Sequence, residues 1–153
     1  MSSIVEYVST GSGGAAGSSK IVSFYVSSGS VSVGDFVGLA SSSTGDVALG
    51  SGVRQALVGT TEPAIGVALQ AGTYASGSII QVQVQGLCDA SVSSAVSVSG
   101  QVYPLIGASS TAGRGGAVFV ASGSADRLAA GQAFETGGDA TLTSVFLYNP
   151  LGL

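Results

Sequence analysis

Histidine and tryptophan are absent from this chain, cysteine and methionine occur once each, and proline occurs three times. Each scarcity removes a class of chemistry. Histidine is the side chain that most often moves protons near neutral pH and the commonest metal ligand, so its absence argues against an enzyme, a metal site or a cofactor site. Cys88, alone, cannot close an intrachain disulfide or build a cysteine-based zinc or iron–sulfur centre. Between Leu87 and Asp89 it reads as a small buried hydrophobe. Charged residues make up 8% of the 153 positions, against about a quarter in an ordinary soluble domain. With four Lys and Arg against eight Asp and Glu, the net charge is −4, and no basic patch is available to neutralise phosphates. Nucleic acid is therefore not an expected partner. The longest apolar runs, AIGVAL and AVFVA, are too short to span a bilayer, and MSSIVEYVSTG has neither the basic nor the apolar region of a signal peptide. No membrane partner is expected, and synthesis as a soluble chain in the cytoplasm is.

Glycine is abundant, with 25 residues, more than double the usual share of about 7%. It is concentrated first in TGSGGAAGSS, residues 10–19, which has the composition of a flexible tether. A strand-sized segment, IVEYV, precedes it. Residues 1–19 thus read as an N-terminal arm with Ile4, Val5, Tyr7 and Val8 as its contact residues, and 20–153 as one β-rich domain. From Lys20 the pattern is β throughout: period-two alternation, many Val and Thr, and frequent Gly/Ser turns. The clearest strand is IIQVQVQ at 79–85, with Ile79, Gln81, Gln83 and Gln85 expected on an exposed face and Ile80, Val82 and Val84 inside. Further strands are expected at 21–26, 36–40, 63–69, 101–106, 117–121 and 142–148. Only 127–135 and 53–58 could hold a helical turn, and Gly131 argues against a long one.

Internal repetition is the most informative signal. VGDFVGL from Val33 matches SGQVYPL, with Gly34 and Gly100 66 residues apart, and AIGVALQAG from Ala64 matches AAGQAFETG from Ala129, with Gly66 and Gly131 65 apart. Each member of the second pair is followed by a turn and an alternating strand. Two pairs at nearly one offset predict duplicated β units over about 31–86 and 97–147.

Apparent motifs fail on context. Gly11, Gly13 and Ala16 satisfy G-x-G-x-x-A, but no helix follows to face a pyrophosphate. A serine nucleophile would have only Lys20 as a lysine base, and the carboxylates sit beside glycines as turn formers. No catalytic residue, metal ligand or small-molecule site is assigned. The aromatics Phe24, Tyr25, Phe36, Tyr103, Phe119, Phe134, Phe146 and Tyr148, one or two to a strand, read as core or subunit-interface residues.

The run VGDFVGL, EPAIGVALQAG, GSIIQVQVQG, together with the C-terminal RLAAGQAFETGGDATLTSVFLYNP, resembles the capsid decoration, or cement, proteins of tailed bacteriophages. Gln101 stands where that pattern would place a second Asp after Gly100. The resemblance implies an all-β body, barrel-like or β-tulip-like, that forms a homotrimer and binds major capsid protein on the outer surface of an icosahedral head. There it would hold the shell against the pressure of packaged DNA. In that setting Ile4, Val5, Tyr7 and Val8 would add as a strand to a sheet edge of the capsid or a sister subunit. A head-fibre or tail-fibre adhesive domain for host-surface binding is the competing expectation; it calls for exposed aromatic or acidic loop sites, whereas the loops here are Ser, Gly and Ala.

Overall fold

A computed structural model describes residues 4–7, 19–39, 52–56, 64–92, 96, 105–108, 113–117, 129–138 and 141–149. The architecture is all-β. The strands are β1 (Ile4–Tyr7), β2 (Ser19–Val26), β3 (Ser30–Val31), β4 (Phe36–Leu39), β5 (Gly52–Gln55), β6 (Ala64–Ala68), β7 (Gly72–Thr73), β8 (Ile79–Ser91), β9 (Leu105–Ala108), β10 (Gly115–Ala117), β11 (Ala129–Ala133) and β12 (Leu142–Tyr148). Among the described residues the one helical element is a 3-10 turn at Tyr74–Ser76, ended by Gly77 in the left-handed region at φ 64°. The places expected to hold a helical turn are strands instead: residues 53–55 lie in β5 and 129–133 in β11. Their local alternation is short, and pairing with neighbours on both sides decides the backbone.

Among the described residues ten strands form one sheet in the order β1-β2-β5-β4-β6-β8-β12-β11-β9-β10, and β2 also pairs with β8, which closes β2-β5-β4-β6-β8 into a five-stranded barrel. Alternation supplies its core. Val22, Phe24 and Val26 of β2 and Ile80, Val82 and Val84 of β8 point inward and are buried with Val31, Val37, Val53, Ile65 and Ala68.

The later half of β8 and strands β9 to β12 repeat most of the pairings of this barrel, although the register slip between Lys20 and Ile21 has no counterpart. β4 meets β6 with Phe36 opposite Val67, Val37 opposite Gly66 and Gly38 opposite Ala64, the register slipping after Val37. β9 meets β11 with Leu105 opposite Gln132, Ile106 opposite Gly131 and Gly107 opposite Ala129, slipping at the same point. In the first unit β2 runs antiparallel to β8, with Tyr25 opposite Ile79 and Val22 opposite Val82. In the second, the later half of β8 runs antiparallel to β12, with Ser91 opposite Leu142 and Cys88 opposite Val145. The parallel pairing of Val26 with Val53 returns as Val92 with Gly115, and the pairing of Val31 with Gly72 returns as Val96 with Gly137. Gly66 and Gly131 are also equivalent in what they exclude: a Cβ at either would strike a cross-strand carbonyl, that of Gln83 or that of Phe146.

Two consequences correct the reading from sequence. The pairing equates Phe36 with Leu105, so VGDFVGL and SGQVYPL correspond three residues out of the register in which they align by letter. The boundary between units falls inside β8, at Gly86, with φ 92°, where the strand leaves the first barrel and starts the second. Asn149, at φ 55°, occupies the corresponding place after β12. Along β8, Lys20 of β2 and Tyr148 of β12 both stand opposite Gln85. β12 and β2 therefore lie end to end beside β8, and a pseudo-two-fold axis passes near Gln85. β6 touches its own equivalent, β11, across that axis.

The second core follows the same positions. Cys88, Ala90, Val92, Val96, Ala130, Ala133, Val145 and Leu147 stand where the first barrel has Val22, Phe24, Val26, Val31, Ile65, Ala68, Val82 and Val84. Phe24 has become Ala90 and Ile65 has become Ala130, so side-chain volume is lost. Phe36, Ala64 and Val67 of the first unit pack into this second cluster, restoring the density a folded interior needs.

Candidate assembly surface

Four of the residues singled out from sequence fall at the N-terminus. Ile4, Val5 and Tyr7 lie in β1, paired antiparallel with Val22, Ile21 and Ser19 of the same chain; Val8 lies outside the described residues. β1 stands at one end of the sheet order, with β2 on one side and no strand on the other among the described residues. Because β8 is the pseudo-symmetric counterpart of β2, the stretch Gln85–Cys88 corresponds to the stretch that β1 covers. There a side chain does the covering: the Gln83 amide donates to the carbonyls of Gln85 at 3.1 Å and Leu87 at 2.9 Å. This explains why Gln83, expected on an exposed face, is buried; a buried amide is stable only with partners.

A second candidate is the outer face of the ladder formed by β8 with β2 and β12. Cross-strand pairs along it are Tyr25–Ile79, Ser23–Gln81, Ile21–Gln83, Tyr148–Gln85, Phe146–Leu87, Ser144–Asp89 and Leu142–Ser91. Of the eight exposed large hydrophobic residues among the described ones, six lie here or on the adjoining end of β11: Tyr25, Ile79, Leu87, Phe134, Leu142 and Tyr148. Leu87 is 59% exposed at its centre. Phe134 meets Phe146 edge to face with centroids 6.2 Å apart, and Phe146 meets Tyr148 at 6.2 Å. The Tyr148 hydroxyl donates to Gln132 Oε1 at 3.0 Å, fixing the ring's position over the sheet. Burial raises the Tyr148 hydroxyl pKa above its ordinary value.

Sequence reasoning placed these aromatics in a core or a subunit interface. Phe24 and Phe36 are core; Tyr25, Phe134 and Tyr148 are exposed; Tyr103 and Phe119 lie outside the described residues. The apolar face escaped notice because Leu87 and Phe146 are 59 residues apart and meet only through the β8–β12 pairing.

Polar groups elsewhere work as structural partners. Asp35 is buried at the entry to β4, and its carboxylate accepts from the Ser32 amide and from Gln55 Nε2, both at 2.8 Å. Ser144 joins two acidic side chains, its amide donating to Glu135 at 2.9 Å and its hydroxyl to Asp89 at 3.2 Å. Cys88 is buried, and desolvation, with a smaller push from Asp89, raises its pKa to about 12. Among the described residues no group of three or more His, Cys, Asp or Glu is placed to hold a metal ion, and no helix is long and apolar enough to cross a membrane. Comparisons with family models, curated proteins and solved structures return no match to this chain.

Proposed function

We propose that this chain is a structural virion protein: a cement or decoration protein that binds major capsid protein on the outside of an icosahedral phage head as a self-associating subunit, expected to be a homotrimer. The observation that carries the reading is β1 at the end of the sheet order, with one edge lacking a strand partner among the described residues. An extended segment of that kind can accept or supply a strand, its main-chain hydrogen bonds giving affinity without charged contacts. The segments that resemble cement proteins support it, because they occupy the structural strands of both units: GDFVGL enters β4, IGVA forms β6, IIQVQVQ opens β8, and TLTSVFLY covers β12. Scarcity of charge supports it too. Many weak, uncharged contacts repeated over a symmetric shell give a large avidity.

The test is to incubate the purified protein with undecorated heads, then measure co-sedimentation and the temperature at which DNA is released. Binding with a higher release temperature is expected. Absence of both overturns the proposal, and binding to host cells instead would favour the adhesive-fibre alternative.

A further inference from the structure

We infer that the edge of β8 at Gln85–Cys88 is a docking site for β1 of a second copy of this chain, held shut by the side chain of Gln83. The inference deepens the proposed self-association and does not depend on the capsid reading. The pseudo-two-fold carries the pair Ile21–Gln83 onto the pair Leu87–Phe146. Ser19, Lys20, Ile21 and Val22, which pair with Tyr7, Glu6, Val5 and Ile4 of β1, therefore correspond to Gln85, Gly86, Leu87 and Cys88. β12 pairs with these four residues on one side, and among the described residues no strand pairs with them on the other. Backbone direction agrees. The Val92 amide donates to Thr141 at the start of β12, while the Ser91 amide donates the other way, to Gly34. The register from Gln85 to Ser91 is unbroken, so Gln85 and Leu87, like Ser91, turn their amides and carbonyls away from β12.

Gln83 supplies what the absent strand would. Its amide donates to the carbonyls of Gln85 and Leu87 at 3.1 and 2.9 Å. A strand set in the register of β1 brings the amides of Tyr7 and Val5 to these same two acceptors, so the donors exchange one for one. The position equivalent to Gln83 is Phe146, whose side chain has no donor to offer; beside β2 it is β1 that pairs with the backbone. Two observations select the occupant. The equivalent edge of the first unit is filled by Ile4–Tyr7, and the connection behind that strand is longer than its own seat requires. Tyr7 and Ser19 are cross-strand partners, about 4.8 Å apart, a gap that a two-residue turn can close. Residues 8–18 intervene, enough chain to reach about 36 Å at 3.3 Å per residue. Tethering gives β1 an effective concentration of about millimolar for its own β2. Exchange onto a neighbour's β8 is therefore expected where copies are held side by side, as in a symmetric assembly.

The experiment is disulfide trapping between two full-length chains, without capsid. A Val5→Cys chain is mixed at high concentration with a Leu87→Cys chain, or with an Ile79→Cys chain as a control at an exposed residue of β8 outside the docking edge. Mild oxidation traps the exchanged state as it forms, and mass spectrometry counts the mixed dimer. The docking register sets Val5 opposite Leu87, so at least tenfold more mixed dimer is expected with Leu87→Cys than with Ile79→Cys. Adding Gln83→Leu to the Leu87→Cys chain removes the competing amide and is expected to raise the yield further, by tenfold or more at limiting oxidation. Circular dichroism checks that this double variant is folded; should it not fold, the first comparison decides alone. Equal yields with Leu87→Cys and Ile79→Cys, no mixed dimer with either, or an unchanged yield in a folded Gln83→Leu chain overturns the inference. Head binding is measured separately, so failure of the capsid reading leaves this outcome untouched.

Discussion

Thr143 offers a direct energetic test of the duplicated architecture. It is fully buried in the second barrel, and its hydroxyl has no hydrogen-bond partner. Its counterpart in the first barrel is Ile80, also buried, and apolar. Leaving a buried hydroxyl unpaired costs about 1–3 kcal/mol, and replacing it by a methyl group of nearly the same size recovers part of that cost. Thr143→Val is therefore expected to stabilise the protein by about 1 kcal/mol, allowing for slight crowding against Gly137, which already packs on Thr143. For a chain of this length that corresponds to a rise in Tm of about 2–4 °C. The reciprocal change, Ile80→Thr, deletes apolar burial and creates a second orphan hydroxyl, with an expected loss of about 2–4 kcal/mol. Urea denaturation of both variants gives the two differences, provided the slope m is unchanged. A Thr143→Val protein no more stable than wild type, or an Ile80→Thr protein equally stable, would refute the argument that these positions are equivalent and dry.

Gly66→Ala and Gly131→Ala should each destabilise by about 1–3 kcal/mol, since the new Cβ meets a ladder carbonyl that cannot move away; denaturation midpoints unchanged in both would contradict the pairing. Cys88, with its pKa near 12, should react with a disulfide reagent at pH 8 only after unfolding. Because burial raises the folded value above 9.0, its contribution to stability is complete below pH 9.0 and lost as pH rises toward about 12, so alkaline titration of Cys88→Ala should show a shallower fall than wild type. A circular permutant that opens the chain before Gly86 and joins Asn149 to Ser19 by a short Gly-Ser link should fold, because β12 and β2 already lie end to end along β8; an unfolded product by circular dichroism and sedimentation would count against the pseudo-two-fold. Deleting residues 1–9 should leave the body folded and weaken head attachment at least tenfold, about 1.4 kcal/mol per site, and unchanged attachment would remove the arm from the mechanism.

Fold class, the burial of Cys88 and the existence of two related units were legible in the order of residues alone. Period-two alternation in IIQVQVQ and LTSVFLY selects strand because side chains alternate across a pleated backbone and one face must leave water. The Gly66 and Gly131 match marked the duplication because glycine is required wherever a cross-strand carbonyl occupies the Cβ position. Tertiary structure alone decided how those units join. A strand serving both barrels leaves no break in its alternation, so the boundary at Gly86 is visible only as a bend where the partner changes from β2 to β12. Pairing likewise decided the fate of individual polar and apolar side chains. Gln83 is buried because the bend presents two carbonyls to its amide, and Leu87 is exposed because its neighbour Cys88 faces the core. Local pattern fixes parity along a strand; which face becomes interior, and what lies across from it, is set by partners far away in the chain.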